Sequence, residues 1–308
     1  MALALESLRS HRRGLSLGQQ EAVIGWLFIA PAVIGFFLWT AGPMIASIWL
    51  AMSKWDLLTP PKFVGLKNFQ RMLSDDLFWQ SLRVTVYYCV TYVPLAMVVA
   101  FAIALLLNSA RRGSALFRTL FYLPSIVPAV ANAVMWQWIF NSEFGLLNAA
   151  LRAIGLPKIL WLQDPRFTMP AVVTMAIWGT GNLMVIYLAG LQGVPEQLYE
   201  AAEIDGAGTW ARFWNVTIPM MSPVIFFNFV TLIIGAFQVF TVGYVMTAGG
   251  PANATLFYVL YLFRNAFQYF EIGYASALAW VLFVLILGLS LLIFRTYTRA
   301  VYEEGGGV

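Results

Sequence analysis

Segment 193–222 gathers Glu196, Glu200, Glu203 and Asp205, four of the fourteen acids in a chain whose neighbouring stretches are almost wholly apolar. Glu196 and Glu200 stand four residues apart, so a helix places them on one face with Glu203 beside them, and Ala201 and Ala202 are small enough to let another surface approach closely. Pro195 suits the first turn of such a helix, the run "PEQLYEAAEID" is rich in helix formers, and Gly206 and Gly208 stop it. Thr209 is suited to capping a second short helix whose Trp210, Phe213 and Trp214 form an apolar stripe, and Pro219 marks the return to the membrane. The chemistry open to this pattern is docking. An ordinary solvated loop flanking a membrane helix accounts for the same acids equally well.

Other chemistries are closed by what the chain lacks. His11 is the only histidine, which excludes a Ser-His-Asp triad and any multi-histidine metal site. Lys54, Lys62, Lys67 and Lys158 follow Ser53, Pro61, Leu66 and Pro157, so no phosphate-binding Gly-Lys pair exists and the chain is not its own ATPase. The single Cys89 permits no intrachain disulfide and reads as a small buried residue.

The elements that must position the acidic segment are membrane helices. Hydrophobic side chains make up 61% of the 308 residues and charged ones only 10%, far from the balance of a soluble domain. Hydrocarbon about 30 Å thick needs roughly 20 apolar residues per helix. Six stretches meet that requirement without an internal charge: 24–50, 84–109, 119–141, 170–192, 223–247 and 273–294. Pro31, Pro43, Pro94, Pro124 and Pro128 predict bent helices packed against neighbours. The shorter apolar piece "TLFYVLYLF" has the length of a helix lying in the interface.

The expected organisation is a cytoplasmic tail 1–23, a six-span domain 24–294 that contains loop 193–222, and a cytoplasmic tail 295–308. Lys and Arg divide evenly between the two sides; the local density of "RRGSALFR" and "SHRRG" favours both termini inside. The net charge of +4 reflects Arg at helix ends and carries no nucleic-acid reading. Spans free of ionisable groups argue against ion- or proton-driven transport, although a sodium site of carbonyls and hydroxyls stays open.

Near mid-membrane depth, Asn132 and Trp136 on the third span, Trp178 and Asn182 on the fourth, and Gln238 and Thr241 on the fifth offer the pairing of aromatic faces with amides or hydroxyls that suits sugars. Trp178 and Asn182 share a helix face through their four-residue spacing. Helix-joining hydrogen bonds and interfacial anchoring account for the same residues.

"EAA", three residues, a glycine, then eleven residues to "IP" (Glu200, Ala201, Ala202, Gly206, Ile218, Pro219) resembles the EAA motif of ABC-importer permeases. "FIAPAVIGFFLWTAGPMIASIWLAMSKWDLLTPPKFVGLKNF", "FRTLFYLPSIVPAVANAVMWQWIFNSEFGLLN" and "GGPANATLFYVLYLFRNAFQYFEIGYASALAWVLF" are similar, in the right order, to further parts of the carbohydrate-uptake permeases. The nearest likeness is to the first permease subunit of maltose, oligosaccharide or glycerol 3-phosphate importers.

The resemblance implies an all-α polytopic membrane protein with six transmembrane helices, a type I ABC importer permease fold, and a cytoplasmic coupling helix. It implies residence in the bacterial or archaeal cytoplasmic (inner) membrane, a second permease subunit, two copies of a cytoplasmic ATPase and an extracytoplasmic solute-binding protein. No cofactor belongs to this chain; MgATP belongs to the partner ATPase. Glu200 is then the polar anchor to a basic group of the ATPase, Ala201 and Ala202 close-packing positions, Glu203 and Asp205 their flanking acids, and Gly206 the turn. A permease for glycerol phosphate or another small solute, or a stand-alone secondary transporter, is the alternative.

Overall fold

The computed structural model describes residues 16–109 and 113–300. His11 and most of the expected N-terminal tail, Arg111 and Arg112, and the C-terminal tail beyond residue 300 lie outside the described residues.

The architecture is helical throughout, apart from one two-stranded hairpin. Helix α1 (Leu17–Phe36) passes through a π turn at Phe37–Ala41 into α2 (Gly42–Ala51), which together make a 35-residue apolar rod. Strands β1 (Ser53–Lys54) and β2 (Lys62–Phe63) pair antiparallel and lead through α3 (Lys67–Leu73) to the 34-residue α4 (Asp76–Ser109). Helices α5 (Ser114–Ile126) and α6 (Ala129–Ile139) meet at 98°, and after α7 (Leu146–Ala153) helices α8 (Pro165–Trp178) and α9 (Gly181–Gln192) meet at 48°. Then follow α10 (Glu196–Ile204), α11 (Thr209–Arg212), a π turn at Phe213–Thr217, and α12 (Ile218–Phe237). A π turn at Val242–Met246, α13 (Tyr258–Phe263), a π turn at Arg264–Gln268 and α14 (Ile272–Ala300) complete the chain.

Among the described residues four helical rods are long and apolar enough to cross a membrane, or six when each bent pair is taken as one span. The bends follow from the sequence: Pro124 and Pro128 interrupt the third span and Gly179 the fourth.

Two expectations are corrected. The fifth span does not begin at 223: a continuous rod runs from Thr209 to Phe237, with a π turn at Phe213–Thr217 carrying the helix up to Pro219, which stands inside the rod. Its apolar run ends at Phe237, and residues 242–246 coil separately. The segment "TLFYVLYLF" is not interfacial. Leu256, Phe257, Tyr258 and Leu260 are fully buried, Thr85 Oγ1 accepts from the Tyr258 N–H at 2.8 Å, and the Tyr258 hydroxyl donates to the Leu278 carbonyl at 2.9 Å. A helix apolar on every side belongs in a core.

With six crossings, the 193–208 connection lies on one face of the bundle, and the hairpin with the 247–271 segment lies on the other. That second face is tightly clamped. Asn68 Nδ2 donates to the carbonyls of Ala51 (2.8 Å) and Ser53 (2.9 Å), and Gly273 packs so closely on the Ser53 carbonyl that a Cβ would lie 1.9 Å from its oxygen. Arg71 pairs with Glu271 at 2.8 Å and lies over the Tyr274 ring at 4.3 Å. Asp75 accepts from the Tyr274 hydroxyl at 2.6 Å and from the Tyr261 hydroxyl, so one carboxylate joins the start of α4 to α13 and α14.

Burial pushes the Asp75 carboxyl up, but the two tyrosine hydroxyls and the Phe78 and Leu77 amides outweigh it and hold the group below the ordinary carboxylate range. A folded pKa below the unfolded one contributes stability that is complete above about pH 4 and is lost as pH falls through the lower folded value. Asp75→Asn is therefore expected to lower the thermal midpoint of the detergent-solubilised protein by roughly 2 °C at neutral pH. The difference from the parent should close on acidification; a gap independent of pH would show that the carboxylate charge is not what the clamp uses.

Candidate functional site

The acidic segment folds as a short helix and a sharp stop. Helix α10 starts at Glu196, with Pro195 one position earlier than expected, at the N-cap, in extended conformation. Its end is set by Gly206 at φ +79°: the Gly206 N–H donates to the Glu203 carbonyl at 3.0 Å and the Ala207 N–H to the Ala202 carbonyl at 2.8 Å, the paired bonds of a left-handed helix cap. Nothing crowds a Cβ at Gly206, so the requirement for glycine there is conformational.

Glu196, Glu200, Ala201 and Asp205 are exposed and Ala202 is half-buried. Glu203 turns back and pairs with Arg212 of α11 at 3.1 Å, while the Tyr199 hydroxyl and Thr217 Oγ1 share a hydrogen bond at 3.0 Å. The expected face therefore stands, with Glu203 partly spent within the loop. Thr209 does not cap the following helix; Gly208 holds the cap position without a side-chain bond. The predicted apolar stripe divides: Phe213 turns inward toward Phe101, whereas Trp210 and Trp214 stay exposed, as does Ile204, which is 88% exposed. Arg212, Tyr199, Thr217 and Ile204 escape sequence reasoning because the turn at Gly206, not their spacing, brings them together.

The six pathway residues are divided by the breaks in the spans. Trp136 is buried on α6 with Asn132 one turn before it, and neither the Trp136 Nε1 nor the Asn132 Oδ1 finds a hydrogen-bond partner within the chain. Trp178, half-exposed, meets Trp136 edge to face, with ring centres 5.8 Å apart. Asn182 is exposed and accepts from the Ser125 hydroxyl at 3.5 Å. The shared face expected of Trp178 and Asn182 rests on a continuous helix and is corrected: Trp178 ends α8, Asn182 lies at the start of α9, and the break falls between them.

Gln238 is exposed at the end of α12, and Thr241 is half-buried just before the 242–246 turn. They sit on the segment that α6 packs against rather than in the Trp136–Trp178 contact. Gln137, which the sequence does not single out, fastens that packing by donating from Nε2 to the carbonyls of Val245 (3.0 Å) and Met246 (2.9 Å).

The chain thus pairs an exposed acidic helix on one face with apolar crossings that hold two unpartnered polar side-chain atoms, Asn132 Oδ1 and Trp136 Nε1. Residues 92–300 match the family of binding-protein-dependent transport system inner membrane components. The chain belongs to that family. It is an inner-membrane transport component rather than an enzyme.

The permease is 44% identical to the probable ABC transporter permease protein YesP of Bacillus subtilis (strain 168), over 93% of this chain and 94% of that one. It is 37% identical to the lactose transport system permease protein LacF of Rhizobium radiobacter, over 91% and 95% of the two chains. A crystal structure of a bacterial ABC transporter involved in the import of the acidic polysaccharide alginate shares its fold, with a TM-score of 0.80 at 21% identity over 91% of this permease and 96% of that chain.

Placing an L-residue at the left-handed Gly206 position costs about 1 kcal/mol. Gly206→Ala is expected to speed hydrogen exchange at the last turn of α10 about fivefold, read at the Gly206 and Ala207 amides. Unchanged protection would mean that the cap does not hold the helix end.

Proposed function

We propose that this chain is the permease subunit of an ATP-driven, binding-protein-dependent importer of a carbohydrate, in which it forms half of the solute pathway. Transport proceeds with a second permease subunit, two copies of a cytoplasmic ATPase carrying MgATP, and an extracytoplasmic solute-binding protein. Both termini and loop 193–222 face the cytoplasm, and the clamped hairpin faces the binding protein. The observation that carries the solute class is the Trp136–Trp178 pair with two orphaned polar atoms, Trp136 Nε1 and Asn132 Oδ1, in spans that hold no charge at that depth. Indole faces cover the C–H surface of a sugar ring, and a buried donor and acceptor match its hydroxyls. The lactose permease among its relatives supports the same class.

Glu200 and Ala201 lie open on α10, with Ile204, Trp210 and Trp214 presenting apolar surface beside them. This combination suits a partner groove with a basic group at its rim: the side chains without bulk set the approach and Glu200 anchors it by a charge-assisted hydrogen bond. Gly206 and the Tyr199–Thr217 bond hold α10 against the base of the fifth span, so closure of the ATPase pair moves the span rather than only the loop.

Losing an ionic hydrogen bond costs about 1.5–3 kcal/mol. Glu200→Ala should accordingly lower solute-stimulated ATP hydrolysis by the reconstituted complex roughly tenfold or more, with the subunit still inserted. Stimulation equal to that of the parent would remove Glu200 from the coupling contact.

Trp136→Phe keeps a ring and removes the donor. Uptake by the complex is expected to need about three- to tenfold more solute-loaded binding protein for half-maximal rate, and an unchanged concentration dependence would place the solute elsewhere.

A further inference from the structure

The connection 140–164 between the third and fourth spans lies on the hairpin face of the bundle, and a buried amide shapes it. Asn148 is fully enclosed. Its Nδ2 donates to the carbonyls of Ser142 (3.1 Å) and Ile159 (2.9 Å), and its Oδ1 accepts from the Ile159 N–H (3.0 Å) and the Trp161 Nε1 (3.2 Å). These bonds use the whole capacity of an amide side chain and fasten the start of the connection to its end. Gly145 tightens the turn between them: a Cβ there would lie 2.3 Å from the Asn141 carbonyl oxygen and 2.6 Å from that of Ile139.

The fastened connection and the end of α6 enclose a cavity of about 290 Å³, lined by Gln137, Trp138, Asn141, Ser142, Phe144 and Gln163 with Phe140 and Leu162. Its lining carries no charged side chain, whereas two other cavities on the same face are lined by Arg71 and Glu271. Trp138 and Phe144 are 67% and 65% exposed, and their rings meet edge to face with centres 5.8 Å apart. Aromatic side chains at a membrane surface commonly serve as anchors in the lipid headgroups. That role makes no use of the amides and the hydroxyl gathered around these two.

Two of the amides are held by bonds that leave one function open on each. Asn141 Oδ1 accepts from the N–H groups of Glu143 (2.9 Å) and Phe144 (3.2 Å), which leaves Nδ2 as an open donor. Gln137 commits Nε2 to the Val245 and Met246 carbonyls, which leaves Oε1 as an open acceptor. The Ser142 hydroxyl and the Gln163 amide have no partner among the described residues. Phe140, buried beneath them, has its ring centre 5.0 Å from that of Trp136 and 5.7 Å from that of Trp161. Since Trp136 in turn meets Trp178, one chain of aromatic contacts leads from this cavity to the inner indole pair.

From these observations we infer that the cavity is a second, outer sugar site, separate from the Trp136–Trp178 pair, which takes one neutral saccharide unit at the external face. The C–H surface of the unit lies on Trp138 and Phe144, and its hydroxyls meet the Asn141 donor and the Gln137 acceptor, with Ser142 and Gln163 completing the ring of polar contacts. Small-molecule sites run from about 300 Å³ upward, so a cavity at the bottom of that range suits a single unit rather than a chain. Groups already fixed by the protein lose little freedom when they bind, which is what the bonds on Asn141, Gln137 and Asn148 provide. A charge-free lining gives an anionic solute no counter-ion here. This inference rests on the importer reading above, and it adds to that reading a station where solute is held before it reaches the inner pair.

The test is cysteine protection on the complete complex in lipid nanodiscs, with Cys89→Ala as background. Gln163→Cys reports on the cavity, and Leu156→Cys, exposed on the same connection but outside the cavity, is the control. The probe is the free form of whichever neutral sugar, from a panel of mono-, di- and trisaccharides, stimulates ATP hydrolysis when carried by the binding protein. It is expected to slow maleimide alkylation of Gln163→Cys by about threefold or more and to leave Leu156→Cys unchanged. Adding Trp138→Ala or Asn141→Asp should abolish the protection; the second keeps the oxygen that holds the turn and removes the donor, and an unchanged Leu156→Cys rate shows that the connection is still folded. Equal rates with and without sugar, or protection that survives either substitution, would overturn the outer site. If no sugar of the panel stimulates hydrolysis, the importer reading falls and the outer site with it, whereas stimulation without protection counts against the outer site alone.

Discussion

Inside hydrocarbon an unpaired backbone amide costs several kcal/mol, so a transmembrane helix can break at depth only where protein closes over the break. The arrangement of this permease follows from where that condition is met. At the third-span break the Val127 N–H reaches the Pro124 carbonyl at 3.3 Å, and the Ser125 hydroxyl takes up the Tyr122 carbonyl at 2.7 Å. At the fourth, the Thr180 amide and hydroxyl both donate to the Ile177 carbonyl, at 3.1 and 2.8 Å. Tight turns and short hydroxyl side chains thus repair most of the ladder. What is left over among the candidate residues is the polarity of Asn132 Oδ1 and Trp136 Nε1.

The two faces of the bundle divide the work between rigidity and accessibility. On the hairpin side, ion pairs, a cation over an aromatic ring, a shared carboxylate and a glycine pressed on a carbonyl fix the first and last spans to one another. On the loop side the Glu203–Arg212 pair and the Tyr199–Thr217 bond organise the acidic segment, which leaves two tryptophans and an isoleucine uncovered. A surface of that kind is incomplete without a partner.

Membrane spans were legible because apolar length is a one-dimensional property: uncharged runs of bilayer length appear as such in any order of packing. The turn at Gly206 was legible for a similar reason, since a left-handed residue leaves its mark in a single position. Depth and proximity were not. The same apolarity that suits "TLFYVLYLF" to a bilayer surface suits it to a core, and only contacts with Thr85 and Leu278, distant in sequence, decide between them. Trp178 and Asn182 have the spacing of a shared face, yet Gly179 between them breaks the helix on which that inference depends. Gln137 and Arg212 owe their roles to partners more than a hundred residues away or across a tight turn, and neither type nor spacing marks them.

The absence of ionisable groups from the middle of the spans takes on meaning beside the loop. A transporter that draws on an ion gradient needs a group at depth whose occupancy changes with the ion, and such a group is expensive to bury. Here the charged groups are held toward the two faces, and the interior polarity is uncharged amide, hydroxyl and indole. Neutral groups bind through hydrogen-bond geometry rather than through ion occupancy. In the proposed importer, work is delivered mechanically at the membrane face, and α10 is an exposed element tied by a capped turn and one hydrogen bond to a span that crosses the whole bundle. The charge-free spans and the acid-rich loop are two sides of the same physical choice, in which energy enters by contact at the membrane face and is spent on the spacing of uncharged groups at its centre.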